Sequence, residues 1–259
     1  MTNLFEIRGT LSDRQNQLFS IVGVAFLLFM WQVITMIVPS PNTPTPMKVL
    51  TSFKELHFED ALVRNLGYSV KLNLLGYFKA LAISLPLGFL IGMFPITKSL
   101  FNKPIDALRF IPLTAVTGLF IVWFGIENAM KVNFLAFGII VYLLPIVIQR
   151  IGEVEPVYHQ TVKTLGATRW QTIKEVYIPA VSAKLFDDIR VLVAISWTYI
   201  IVAELINKSG GIGALAYTSA RQSRIDKVFA VLLVIVVVGF LQDLIMKKLD
   251  KLAFPYKYL

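Results

Sequence analysis

A chain with no cysteine and only two histidines, His57 and His159, has few ways to do bond chemistry. Thiolate nucleophiles, disulfides, Cys-based zinc sites and iron–sulfur clusters are excluded. His159 reads as an exposed loop histidine, and no metal site is expected. Asp187 and Asp188 are adjacent, so on a helix their carboxylates point about 100° apart and cannot act as a catalytic dyad. Their spacing predicts internal pairs with Arg190 (i, i+3) and Lys184 (i, i+4). The chain has no Gly-x-x-x-x-Gly-Lys-Ser/Thr run to cradle phosphates. Two ionisable residues, Lys79 and Glu204, stand in otherwise apolar stretches, where a charge normally faces a cavity or a partner. Lys79 is expected to face the bundle interior or a translocation path, where a cation favours a small anion; snorkelling or a carboxylate partner is the competing reading. Glu204, just ahead of Gly210-Gly211-Ile212-Gly213, is expected to brace an external gate, to meet a partner protein or to bond a helix end. Thr114, Thr117, Ser196 and Thr198 are candidate hydroxyls along the same path. No residue is assigned a catalytic role, so the expected function is to move a solute rather than transform it.

The elements that must position these residues are set by composition. Of 259 residues 56% are hydrophobic and 16% charged, with a mean hydropathy of +0.68, against roughly 25% charge in an ordinary soluble domain. A membrane-crossing helix needs about 20 mostly apolar residues. Six stretches qualify: 18–38, 68–94, 105–124 with a kink at Pro112, 132–148, a fifth entering near Phe186 and ending at 206, and 228–246. The predicted fold class is therefore all-α, a polytopic membrane protein of six transmembrane helices. Residues 1–17 form an N-terminal segment, 18–246 the membrane domain and 247–259 a basic tail. Residues 39–66 read as an extended outer loop followed by a short surface helix, 95–104 as a connector, and 207–227 as a Gly-bearing outer loop. With both termini inside, 12 Lys and Arg fall on the cytoplasmic side, eight outside and five within spans. That bias is the one expected of cytoplasmic loops, and the net charge of +9 gives no reason to invoke nucleic acid.

Residues 149–175 break the apolar pattern with a polar, helix-forming insertion. Within it the chain reads Gln160-Thr161-Val162, three residues, Gly166, nine residues, then Val176-Tyr177-Ile178-Pro179. This spacing resembles the EAA loop of ABC-importer permeases, Glu-Ala-Ala, three residues, Gly, nine residues, Ile-x-Leu-Pro. Here Gln160 stands for the Glu, and Thr161 and Val162 for the two Ala, so a hydrogen bond replaces any ion pair. Gly166 permits a turn with positive φ between two helices, Ala167 and Thr168 are small enough for a groove, and Pro179 suits a first helical turn.

Further strings extend the resemblance over residues 30–259. They include Asn65 through Gly76, Ala107 through Pro112, Trp123-Phe124-Gly125-Ile126, Leu165 through Arg169, Ala203-Glu204 and Gly210 through Gly213. The chain looks most like the nitrate, sulfonate, taurine and bicarbonate branch. The resemblance implies a type I importer permease of the inner (plasma) membrane. Its coupling residues would be Val157, His159, Gln160, Thr161, Val162, Leu165, Gly166, Ala167 and Thr168, within a coupling loop over 149–178, and Pro179 just after it. The implied partners are two copies of an ATPase subunit that binds ATP and Mg, an extracytoplasmic substrate-binding protein, a second permease copy and membrane lipid. A secondary transporter or channel uncoupled from ATP is the alternative; it would need buried ion-coupling acids or repeat-related broken helices, and only Glu204 hints at these.

Overall fold

Ser12 opens the first helix. Its hydroxyl oxygen accepts the Gln15 backbone N–H at 3.4 Å while its own backbone N–H donates to the Gln15 side chain at 3.0 Å, a reciprocal cap. The computed structural model describes residue 9 and residues 11–258, so most of the expected N-terminal segment and residue 259 lie outside the described residues. Helix α1 (Asp13–Ile37) is followed by a Pro-rich turn and a short α2 (Pro46–Phe58), which begins with Pro46 behind a Thr45 cap. Four more long helices follow: α3 (Leu62–Met93), α6 (Asn128–Gly152), α9 (Ile178–Ile206) and α11 (Ile225–Ala253). Between them lie α4 (Pro95–Leu108), α5 (Thr117–Phe124), α7 (Pro156–Thr164), α8 (Arg169–Thr172) and α10 (Ile212–Arg221). No strand occurs among the described residues. Among the described residues five helices are long and apolar enough to cross a membrane, or six if the bent pair Pro95–Leu108 and Leu113–Phe124 counts as one span.

That bent pair departs from the sequence expectation. Residues 95–104 are helical rather than a connector, and the span breaks by 93° instead of kinking. Pro112 is the cause: it disfavours helical geometry at Ile111 and offers no N–H of its own, so the helix stops and restarts through a tight turn at Leu113–Val116. The expected outer loop 207–227 likewise contains a ten-residue helix, α10.

The core lies where α3, α6 and α9 meet, with Leu72, Ala80, Leu135, Ile139, Leu143, Val147, Trp197 and Ile200 buried together. In α6, 61% of the apolar window is buried, against 6% in α1, so α6 is the central helix and α1 the peripheral one. Small residues let α3 approach α6. A Cβ on Gly76 would stand 2.6 Å from Leu135, one on Gly88 2.5 Å from Val147 and one on Gly92 2.9 Å from Ile151.

The charged start of α9 is also arranged differently from expectation. Asp187 and Asp188 do not pair along their own helix. Asp188 accepts two hydrogen bonds from Arg150 of α6, at 2.7 and 2.8 Å, and Asp187 pairs with Lys257 of the tail at 3.0 Å. Arg190 binds Asp243 of α11, and Lys184 only approaches Glu153, at 4.0 Å. For Asp188 and Arg190 the neighbouring helices offer a two-pronged Arg–carboxylate partner, which outcompetes a single i, i+3 or i, i+4 contact.

Candidate functional site

At the inner end, α6 closes at Gly152 and the chain turns through Glu155 into α7, whose first residue is Pro156. Gln149, Arg150, Glu153 and Asp188 fix this base. Arg150 bridges Asp188 and Glu153, the latter at 2.8 Å, and Gln149 donates to Glu153 at 3.0 Å. The Arg150 hydrogen bond, assisted by that of Gln149, holds the Glu153 carboxyl below its usual range.

Helix α7 buries none of its residues. It ends in a Schellman turn: the Ala167 N–H donates to Val162 O and the Gly166 N–H to Lys163 O, each at 3.0 Å. Gly166 sits at φ +79°, in the left-handed region that a side chain would strain, as its spacing predicted. Thr168 then starts α8 with a reciprocal cap to Gln171. A π-helical turn, Ile173–Tyr177, leads into α9, with Pro179 in its first turn.

The resulting hairpin presents its apolar groups outward, with Leu165 80% and Trp170 66% exposed. Val157, His159, Gln160, Thr161 and Thr168 are exposed, and Val162 and Ala167 half-buried. Thr161 bonds back to Val157 O at 2.8 Å, whereas the exposed Gln160 amide makes no side-chain hydrogen bond among the described residues. A cavity of about 540 Å³ opens at the hairpin's root between Tyr158, Arg150, Glu175 and Pro179.

At the outer end, Glu204 is fully buried. One carboxylate oxygen accepts the Ser69 hydroxyl at 2.6 Å and the other the Gly213 N–H at 2.8 Å. The Ile212 N–H donates to Ser69 Oγ at 2.8 Å and the Gly211 N–H to Asn65 Oδ1 at 2.9 Å. Three successive amides at the start of α10 thus end on side chains of α3 and α9, the donors that a helix otherwise leaves orphaned. Gly211, at φ +102°, has no room for a Cβ, which would fall on the Glu204 carboxylate. Lys131 completes the cluster. The sequence reading left it in the gap between the 105–124 and 132–148 stretches, but it is fully buried, donating to Ser209 at 3.2 Å and lying 5.1 Å from the Tyr68 ring centre. Two signals were present in the sequence: Lys131 stands at the edge of an apolar run, and Asn65 and Ser69 lie four apart on one helix face.

The remaining candidates do not converge: apart from the backbone bond from the Thr117 N–H to Thr114 O within their shared turn, no hydrogen bond joins any two of them among the described residues. Lys79 is exposed at the middle of α3, donating to Asn133 Oδ1 on α6. Held against lipid there, an unpaired Lys costs roughly 2.5–3.5 kcal/mol on insertion scales. Thr114 and Thr198 are exposed and Thr117 half-buried. Ser196 is buried, its single hydroxyl proton shared between Val193 O at 2.6 Å and Asn73 Oδ1 at 3.0 Å. Among the described residues no group of three or more His, Cys, Asp or Glu is placed to hold a metal.

The chain is similar to known proteins in sequence and in fold. Residues 84–254 match the family described as "Binding-protein-dependent transport system inner membrane component". A Bacillus subtilis protein named as an aliphatic sulfonates transport permease is 30% identical, over 88% of this chain and 83% of its own length. The taurine transport system permease protein of Escherichia coli is 26% identical, over 92% and 89%. In fold, a chain of the methionine ABC transporter MetNI, solved in inward-facing conformations, superposes with a TM-score of 0.65 at 18% identity, covering 73% of this chain and 94% of that one.

Proposed function

Because the chain belongs to the family of binding-protein-dependent transport system inner membrane components, we propose that it is an importer's permease subunit driven by a separate ATPase and passing a small anionic solute. One observation carries the coupling: the α7–Gly166–α8 hairpin, at the inner end of α6 and α9, buries none of α7 and offers Leu165 and Trp170 to a partner. An apolar knob beside small Ala167 and Thr168 on a rigid capped turn suits insertion into a groove. Two ATPase copies, binding ATP and Mg, would close and push two such hairpins, one from each of two permease copies with the path between them. An extracytoplasmic binding protein would deliver the solute at the α10 end. Both termini then lie in the cytoplasm, in line with the bias of basic residues. Nitrate, bicarbonate, sulfonates and taurine form the expected solute class; the names of the sulfonate and taurine relatives and the lysine at mid-span favour it.

Glu204, the Asn65–Ser69 pair and α10 act as an outer brace, and Lys79, Thr114, Thr117, Ser196 and Thr198 are the path candidates. The test is co-purification with the ATPase subunit and ATP-dependent uptake in proteoliposomes. Gly166→Pro, which cannot reach φ +79°, and Leu165→Asp should each abolish uptake and loosen the ATPase. Intact association and uptake in both variants would defeat the coupling reading.

A further inference from the structure

We propose that Lys79, aimed by Asn133, is a recognition station for a small oxyanion half-way across the membrane; the inference rests on the transport reading above and names where the solute's charge is met. Lys79 stands 17 residues past Leu62 and 14 before Met93 in α3, which at 1.5 Å per residue is about 21–26 Å from either end. It is exposed, so at this depth it faces lipid, a second copy or water.

Two arguments weigh against the first two. Lipid tails offer an ammonium no acceptor. A second copy brings no spare carboxylate at this depth: α3, α5 and α6 carry no acid, and each acid of α4, α9 and α11 already bonds a partner of its own chain. A wet path remains.

Asn133 fixes what the cation presents. Its amide N–H donates to Ala129 O at 2.8 Å, which turns Oδ1 toward Lys79 and makes that oxygen the acceptor of the ammonium. An ammonium has three donors, so two remain for a ligand on the open side. The fitting ligand carries one negative charge and at least two oxygens on one atom: nitrate, a sulfonate or a carboxylate. Lysine suits a transit site because it is a point charge with rotatable donors and imposes no planar fork. Trigonal and tetrahedral oxyanions are then held alike, and loosely enough to leave.

The absence of cysteine provides a test that does not require the natural solute. Ala82, exposed and three residues on from Lys79, lies on the same face of α3. Ala82→Cys, assembled with its ATPase, is treated with the anionic sulfonatoethyl and the cationic trimethylammonium-ethyl methanethiosulfonates, without nucleotide and with ATP trapped. Relative to the intrinsic rates on a free thiol, the anionic reagent should react about tenfold faster than the cationic one in at least one state. Nitrate or methanesulfonate should slow it. Adding Lys79→Gln should erase the preference, Lys79→Arg should keep it, and Asn133→Val should reduce it part-way. Equal rates in the Lys79 protein, or labelling only by a lipid-soluble maleimide in both states, overturns the station. If the ATPase co-purifies and uptake proceeds while the rates are equal, the station alone fails; if no ATPase associates, the transport reading fails.

Discussion

Replacing Glu204 by Ala removes the two acceptors that fasten α10 to the bundle, and the structure sets the size of the loss. The Gly213 N–H, 2.8 Å from the carboxylate, is left without a partner in a buried site, which costs about 1–3 kcal/mol. The Ser69 hydroxyl loses its 2.6 Å acceptor but keeps its bond from Ile212, adding roughly 1 kcal/mol. Lys131 loses a nearby carboxylate, and the vacated volume adds a cavity term. The sum is about 3–5 kcal/mol, and since each 1.4 kcal/mol is tenfold, opening of the α10 start should rise by at least two orders of magnitude. Hydrogen exchange resolved at Gly211, Ile212 and Gly213 reads that opening, with the amides in the middle of α6 as an internal reference. Glu204→Gln keeps the volume and one acceptor for Gly213, and should cost only about 1 kcal/mol. Unchanged protection at 211–213 in the Ala variant, or a Gln variant as open as Ala, would refute the account of Glu204 as the cap of α10.

Three further outcomes follow from the same geometry. Gly88→Ala, whose Cβ would stand 2.5 Å from Val147, should destabilise the α3–α6 seam by about 1–3 kcal/mol, whereas Gly239→Ala, with nothing within 4 Å, should leave the detergent melting temperature unchanged. Arg150→Met strands the Asp188 carboxylate at the root of the hairpin, so solute uptake per ATP hydrolysed should fall, and Asp188→Leu in the same chain should recover part of the loss, as measured in proteoliposomes. At the outer surface Arg224, helped by Lys227, holds the Glu55 carboxyl below its ordinary value of 4.5. A depressed carboxylate adds stability above that value and loses it as pH falls through the lower folded value. The melting-temperature gap between the parent chain and Glu55→Gln should therefore be present at pH 7 and close below pH 4.5.

What the sequence disclosed was local. Gly166 and Pro179 were legible because a positive φ and a first helical turn constrain single residues, and five long spans because apolar length is written in the chain itself. The partners of Asp187, Asp188 and Arg190 were not, since helical spacing offered each a neighbour on its own helix while the actual partners, Lys257, Arg150 and Asp243, lie 70, 38 and 53 residues away. Pro112 announced a kink but not a 93° break, which depends on how Leu113 and Phe120 pack against α6 and α9. Helix α10 was hidden by its glycines, which read as loop until Asn65, Ser69 and Glu204 are seen to supply its cap.

These tertiary partners give the proposed transport a mechanical basis in α9. Its inner end is tied by Asp188 to α6, by Asp187 to the tail and by Arg190 to α11, and its outer end by Glu204 to α10. Between them runs unbroken helix from Ile178 to Ile206, about 43 Å of rod. The π-helical turn at Ile173–Tyr177 is the one irregular joint between that rod and the hairpin, and such turns recur at functional positions. A push on α7 that travels through α9 reaches α10 either by moving α9 as a body or by bending it at the joint. Deleting one residue of the π turn, which restores regular helix and rotates the hairpin by about 100° relative to α9, separates these routes. If α9 moves as a body, the ATPase should still bind the hairpin but uptake should cease and exchange at Gly211–Gly213 should become insensitive to ATP. ATP-responsive exchange at α10 in the deletion variant would place the transmission elsewhere.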